Sequence, residues 1–232
     1  MPDSIILFGG SFNPVHYGHL RLAVEVFEAM LPDRVDFVPC ANPPHKAGLG
    51  LLPFDMRVEM LREICADYPH FNVNTLEAER EGPSYTSDTL REYKNTYPQT
   101  RLFFVLGSED YVNLDSWKDW NILPNLADIL VVPRQGVEED EFIEHTRRLW
   151  PDATPVENVP EPVRIGFWAG SESEGIPMQA GRVLYMPLPR LDINASMVRR
   201  RWLGGRLIDF WVPDAVVNCL AASSDTVKKF WK

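Results

Sequence analysis

The sequence predicts an α/β protein with a doubly wound, mostly parallel sheet, flanking helices and a small helical part near its C-terminal end. Short apolar runs alternate with amphipathic stretches in the first half of the 232 residues, as in a parallel sheet with crossover helices. Two runs, Leu102 to Leu106 and Ile129 to Val132, are apolar at every position, which is typical of central strands buried on both faces. Crossovers between such strands favour the doubly wound order.

The individual elements follow in order along the chain. The remaining strands are predicted at Ser4 to Phe8, Val35 to Val38, Phe71 to Leu76 and Arg182 to Pro187. The first helix starts near Gly18, because Leu20, Val24, Phe27 and Leu31 recur at helical spacing. Further helices are predicted at Phe54 to Tyr68, after a cap at Thr86 or Ser87, at Glu138 to Trp150, at Asn194 to Leu203, and at Pro213 to Ala222 as the last helix.

Residues 136–181 fit this alternation poorly, because prolines follow the predicted helix there and a polar stretch ends the segment. The length of the chain suits one large domain. We therefore expect a single domain over residues 1–232 that carries an insertion or a mobile segment at about 136–181.

Charge and composition narrow the classes of partner. The net charge of -10 and the pI of about 5.0 argue against long nucleic acid and anionic membrane as partners, so any phosphate site must be local. Cys40, Cys65 and Cys219 lie too far apart to suggest a zinc site or a disulfide framework. No segment resembles a secretory signal or a membrane span, and we expect a cytoplasmic protein of undetermined oligomeric state.

The strongest motif lies between the first strand and the first helix, over Gly9 to Leu20. Adjacent glycines let the backbone approach a ligand closely, and the N–H groups at a helix start bind phosphate. His16 and His19 stand three residues apart, so both rings can point into one pocket as donors to phosphate oxygens. Local capping or packing is the alternative, and a metal pair lacks a third ligand nearby.

Gly9 to Leu20 resembles the G-G-x-F-x-P-x-H-x-G-H signature of the nucleotidyltransferase superfamily, which implies a Rossmann-like sheet. Nearly the whole chain is similar to the bacterial nicotinate mononucleotide adenylyltransferases. The similar segments are Asn42 to Lys46, Met56 with Arg57, Gly82 to Thr86, Gly107, Trp117 with Trp120, Val131 to Arg134, and Ile193 to Arg199.

The resemblance implies adenylyl transfer from ATP, with Mg²⁺ accompanying the ATP, to nicotinate mononucleotide, which gives nicotinate adenine dinucleotide and pyrophosphate in NAD biosynthesis. The catalytic residues implied are His16, His19, Lys46 and Arg199. The ATP-binding residues implied are Gly9, Gly10, Ser11, Phe12, His16, His19, Gly107, Glu109, Ser196 and Arg199. The mononucleotide-binding residues implied are Asn13, His45, Lys46, Ser84, Tyr85, Thr86, Trp117 and Arg134, and no protein residue is expected to hold a metal.

Structural interpretations of these residues stay open beside the functional ones. Lys46 can be a solvated lysine, Ser84 to Thr86 a helix cap, Trp117 a core side chain, and Arg199 to Arg201 a basic helix face. The chain also departs from the family pattern, because Asn194 and Ala195 replace a serine pair and Glu109 replaces an aspartate. One alternative function is adenylyl or cytidylyl transfer to another acceptor, such as nicotinamide mononucleotide or phosphopantetheine. The other is that of a nucleotide-binding protein that has lost turnover.

Overall fold

The computed structural model describes residues 1–44, 50–133, 138–170, 181–189 and 191–231. Within these ranges the strands form one sheet in the order β3-β2-β1-β4-β5-β8-β7-β6. The strands are β1 Ser4–Gly10, β2 Arg34–Pro39, β3 Phe71–Val73, β4 Arg101–Gly107, β5 Asp128–Val132, β6 Thr154–Pro155, β7 Ile165–Trp168 and β8 Arg182–Tyr185. The Rossmann-like α/β prediction is confirmed by this strand order with its flanking helices.

Nine α-helices lie in the described residues. They are α1 Tyr17–Met30, α2 Phe54–Cys65, α3 Thr86–Thr96, α4 Ser108–Tyr111, α5 Leu123–Leu126, α6 Glu139–Leu149, α7 Ala195–Leu203, α8 Asp214–Ala222 and α9 Ser224–Phe230. Short 3₁₀ helices lie at Leu76–Glu79, Leu114–Ser116 and Trp120–Ile122. In this described part of the chain, no helix combines the length and the apolar character that crossing a bilayer requires.

The chain divides into two compact units. The first unit comprises Met1–Phe8, Ala29–Arg34 and Tyr85–Leu188, and the second comprises Gly9–Glu28, Val35–Ser84 and Pro189–Lys232. In the first unit β4 pairs in parallel with β1 and β5, and β5 pairs in parallel with β8. The apolar side chains of β4 and β5 are buried, as their uniform sequences predict. That the chain is one domain stays a prediction.

Four local features differ from the sequence-based expectation. β3 ends at Val73 and is followed by a 3₁₀ helix. Thr86 and Ser87 lie inside α3 rather than at its cap, which is Tyr85. The helix from Asp214 is not the last one, because α9 follows it. The described part of 136–181 contains, besides the predicted helix α6, the antiparallel strands β6 and β7, which the sequence did not predict. That these residues are an insertion or a mobile segment stays a prediction.

A buried carboxylate ties together the starts of three strands in the first unit. Asp128 is 0% exposed and accepts hydrogen bonds from the guanidinium of Arg101 at 2.9 Å and from that of Arg182 at 2.7 Å. Its other oxygen accepts from the main-chain N–H of Arg182 at 3.0 Å. A buried charge that is fully paired in this way is compensated, whereas removing one partner is strongly destabilising.

We expect Asp128→Asn to lower the free energy of unfolding by about 2 kcal/mol, because two guanidinium groups lose their counter-charge. The loss is smaller than for a fully buried pair because the Arg101 side chain is 41% exposed. Asp115→Asn is the matched control, since its carboxylate pairs with Arg148 at the surface and the loss there is below about 1 kcal/mol. Urea denaturation measures both, and equal destabilisation would contradict the assignment.

Candidate active site

The loop between β1 and α1 is shaped by a buried aromatic ring. Phe12 is 1% exposed, has a φ of 43°, and its ring packs against Phe37 and His19 at centroid distances of 5.8 and 5.1 Å. A Cβ at Gly10 would approach that ring to 3.1 Å, so glycine leaves room for it. Packing of the Phe12 ring therefore holds the loop. The main chain of Gly9, Gly10 and Ser11 leads from β1 toward the start of α1.

The two histidines of the motif stack on each other. Their ring centroids lie 3.6 Å apart at an interplanar angle of 27°, and His16 is 1% exposed. The main-chain N–H of His16 donates to Nδ1 of His19 at 3.2 Å. Because Nδ1 accepts, the neutral His19 ring carries its proton on Nε2. His19 is therefore set to present an Nε2–H donor, which is what a phosphate oxygen requires.

Gly18 explains why the motif has glycine between the histidines. A Cβ at this position would lie 2.9 Å from Nδ1 of His16 and 2.9 Å from the main-chain oxygen of Ile193. Any side chain would displace either the stacked ring or the segment that leads into α7. The start of α1 and the entry to α7 are thus in close contact within the second unit.

Arg199 lies on α7, whose N-terminal end is capped by Asn194. Oδ1 of Asn194 accepts from the main-chain N–H of Met197 at 2.9 Å, so this departure from the family pattern preserves the cap. Arg199 donates through Nη1 to the main-chain oxygen of Asn13 at 2.8 Å and through Nη2 to Oγ of Ser196 at 2.9 Å. Burial lowers the pKa of Arg199 because it removes water from the charged guanidinium. An anion bound beside it would compensate for that loss of hydration.

Asn13, which is predicted to bind the mononucleotide, lies in the same region. It is 4% exposed, and its amide group hydrogen-bonds to main-chain atoms of Gly50 and Leu52 and to the indole of Trp231. The side chain therefore holds protein segments together. A role in binding substrate stays a prediction.

Arg57 is a residue of this region to which the sequence assigned no role. It is 1% exposed and donates to the main-chain oxygens of Leu52, Ser11 and Cys40 at 3.0, 2.8 and 2.9 Å. It thereby fixes the Gly-rich loop and the chain after β2 to the start of α2. The sequence signal for a buried arginine is its position on an apolar helix face, because Leu61 lies four residues further along α2.

The candidate pyridine-binding residues Tyr85, Thr86 and Trp117 lie in the first unit. α3 begins at Thr86, and Trp117 is half-buried. Lys118, next to Trp117, places its Nζ 4.7 Å from the centroid of the Tyr85 ring and 2.9 Å from Oδ2 of Asp88 on α3. These contacts join the residue after Trp117 to the N-terminal end of α3.

Further predicted residues lie at other points. Gly107 ends β4 and precedes α4, where Glu109 is exposed. Ser84 belongs to the second unit, and its Oγ accepts from the main-chain N–H of Asn42 at 3.0 Å. His45, Lys46 and Arg134 lie outside the described residues, and their roles stay predictions.

Within the described ranges no group of three or more His, Cys, Asp or Glu side chains is arranged to hold a metal ion. Burial raises the pKa of the Cys40 and Cys65 thiols to about 12, so both stay protonated near neutral pH. The side chains that the second unit brings together are donors and cations, a set suited to phosphate oxygens.

Comparison with known proteins gives relatives along nearly the whole chain. Residues 7–201 match the family described as cytidylyltransferase-like. A probable nicotinate-nucleotide adenylyltransferase of Maridesulfovibrio salexigens is 32% identical over 228 residues, which cover 97% of this chain and 98% of the relative. One of Thermus thermophilus is 37% identical over 210 residues, which cover 90% and 92% of the two chains.

A solved structure shares the fold at lower identity. The nicotinic acid mononucleotide adenylyltransferase of Plasmodium falciparum, complexed with NaAD, superposes with a TM-score of 0.69 at 17% identity, and the match covers 98% of each chain. At that identity the likeness bears on the fold alone. The fold and the Gly-rich loop before a helix N-terminus are those expected of a protein that binds nucleotide phosphates.

Proposed function

We propose, from the premise that this chain belongs to the cytidylyltransferase-like family and to the nicotinate-nucleotide adenylyltransferases within it, that it transfers the adenylyl group of ATP to nicotinate mononucleotide. The products are nicotinate adenine dinucleotide and pyrophosphate, and the reaction belongs to NAD biosynthesis. The observation that carries this proposal is the stacked His16 and His19 pair at the start of α1, in a chain related over almost its full length to such enzymes.

The reaction needs no nucleophilic side chain. The phosphate of the mononucleotide is largely a dianion near pH 7, because its second pKa is about 6, and it attacks the α-phosphorus of ATP directly. The bond from that phosphorus to the bridging oxygen breaks, and pyrophosphate leaves with the electron pair. Catalysis then consists of in-line positioning and of stabilising the charge that develops on pyrophosphate.

The second unit carries the groups for the triphosphate. His19 presents Nε2–H, and the hydrogen bond from Arg199 to Asn13 holds the guanidinium group beside the Gly-rich loop. The main chain of Gly9, Gly10 and Ser11 supplies the close approach, and Lys46 is predicted to add a cation. Mg²⁺ enters with ATP, because imidazole and guanidinium groups do not suit a cation that prefers oxygen ligands, and the triphosphate supplies those. We place the reaction in the cytoplasm.

The first unit carries the groups for the pyridine ring. The first turn of α3, which begins at Thr86 after the cap residue Tyr85, lies at the positive end of the helix dipole, where main-chain N–H groups favour an anion. They suit the carboxylate of nicotinate, while Trp117 offers a flat face for the ring. An amide would bring its own N–H donors to the same place.

We expect nicotinate mononucleotide to be used at least about tenfold to a hundredfold more efficiently than nicotinamide mononucleotide, because charge-assisted hydrogen bonds favour the carboxylate. Values of kcat/KM for both acceptors at saturating ATP and magnesium measure this. Trp117→Ala is expected to impair both acceptors alike, since stacking recognises the ring. Equal efficiencies, or a preference for the amide, would refute acid specificity while leaving adenylyl transfer in place.

A further inference from the structure

The amide of Asn13 joins parts of the second unit that are distant in sequence. Its Nδ2 donates to the main-chain oxygen of Gly50 at 2.9 Å, and its Oδ1 accepts from the main-chain N–H of Leu52 at 3.1 Å. The same Oδ1 accepts from the indole Nε1 of Trp231 at 3.1 Å. These three bonds use both the nitrogen and the oxygen of the amide. They therefore fix the Asn13 side chain and, with it, the turn of the Gly-rich loop that precedes His16.

The main chain of Asn13 binds the guanidinium group of Arg199. Its carbonyl oxygen accepts from Nη1 of Arg199 at 2.8 Å, so the guanidinium takes its position from the same residue whose side chain is fixed by Trp231. Gly50 and Leu52 follow the predicted phosphate-binding Lys46 by four and six residues. Asn13 therefore connects the Gly-rich loop, by hydrogen bonds, to α7 and to the chain before α2.

Trp231 holds both Asn13 and α7. It is 3% exposed, and its ring meets that of Trp202 edge to face, with centroids 5.6 Å apart at 89°. Trp202 lies on α7 three residues after Arg199, which is the spacing of neighbours on a helix surface. The main-chain N–H of Trp231 donates to Val227 on α9 at 2.9 Å, so α9 sets the position of the indole.

We propose that Trp231 is a positioning residue for adenylyl transfer, which orients Asn13 through its indole N–H and α7 through its ring, so that α9 places Arg199 relative to the Gly-rich loop. The proposal rests on the proposed function for its reaction and on the hydrogen bonds above for its geometry. Trp231 does not contact the reacting atoms, and its effect passes through Asn13 and Arg199.

Trp231→Phe keeps an aromatic ring and removes the N–H donor. We expect the KM for ATP to rise about tenfold, as for loss of a buried hydrogen bond that orients a binding group, while the KM for nicotinate mononucleotide stays within about twofold. Trp150→Phe is the matched control, because its indole N–H also donates to a main-chain oxygen, that of Asn121, but in the first unit. The control should leave both KM values unchanged.

A second variant separates the hydrogen bond from the packing. Site-specific incorporation of 3-benzothienylalanine at position 231 preserves the shape of tryptophan without a donor, and we expect the same rise in the KM for ATP at an unchanged melting temperature. Unchanged ATP kinetics in this variant, or equal weakening of both substrates, would overturn the proposal.

Binding of a non-hydrolysable ATP analogue, followed by calorimetry, distinguishes this proposal from the proposed function. If the unmodified protein forms no dinucleotide but the analogue binds about tenfold more weakly to Trp231→Phe, the acceptor assignment fails and the positioning role stands. If dinucleotide forms and the analogue binds both proteins equally, the positioning role fails alone.

Discussion

His19→Ala is expected to lower kcat by about two to three orders of magnitude without unfolding the protein. The hydrogen bond from the His16 main chain to Nδ1 leaves the proton of the neutral ring on Nε2. A donor held in that way stabilises charge that develops on the triphosphate, and loss of one preorganised donor has an effect of this size. Steady-state rates and thermal melting should be measured on the same preparations.

Two substitutions at this position test the tautomer. His19→Gln places an amide near the position of Nε2, whereas His19→Asn places one near Nδ1, so the glutamine variant should retain more turnover than the asparagine variant. His70→Ala is the control, because that exposed ring packs on Phe27 in the same unit and has no predicted role in binding substrate. Near-normal turnover of folded His19→Ala would show that the ring serves only to stack on His16.

The sequence predicts best what short-range chemistry decides. The turn after β1 follows from adjacent glycines before an amphipathic stretch, and the Asn194 cap follows from an oxygen-bearing side chain at the start of a helical pattern. β4 and β5 are recognisable because each is apolar at every interior position. In all these cases the determining residues are neighbours in the chain.

Long-range partners decide the features that the sequence does not predict. β6 has only two residues and includes Pro155, so it carries no periodic pattern, and it is a strand because β7 pairs with it. The hydrogen bond between the Asn13 side chain and Trp231 joins residues 218 positions apart, so no local pattern predicts it. Arg57 likewise serves carbonyl groups that only the folded chain brings together.

The second large effect is expected at Arg199, where replacement by alanine should lower kcat/KM for ATP by about a hundredfold to a thousandfold. Within the described residues its hydrogen bonds to Asn13 and Ser196 use two of the five N–H groups of a guanidinium. The others can serve phosphate oxygens, and the partial burial that lowers its pKa strengthens such contacts.

Arg199→Lys tests whether geometry matters beyond charge. A lysine restores the positive charge but not the planar guanidinium group, so it cannot bind Asn13, Ser196 and a phosphate together. We expect it to recover less than about a tenth of the lost efficiency.

Arg200→Ala is the matched control, because Arg200 is the next residue on α7 and is exposed. The KM for nicotinate mononucleotide should stay within about twofold in all three variants. If Arg199→Ala weakened both substrates equally, or if Arg200→Ala matched its loss, the guanidinium would act through the stability of α7, and its assignment to the triphosphate would be wrong.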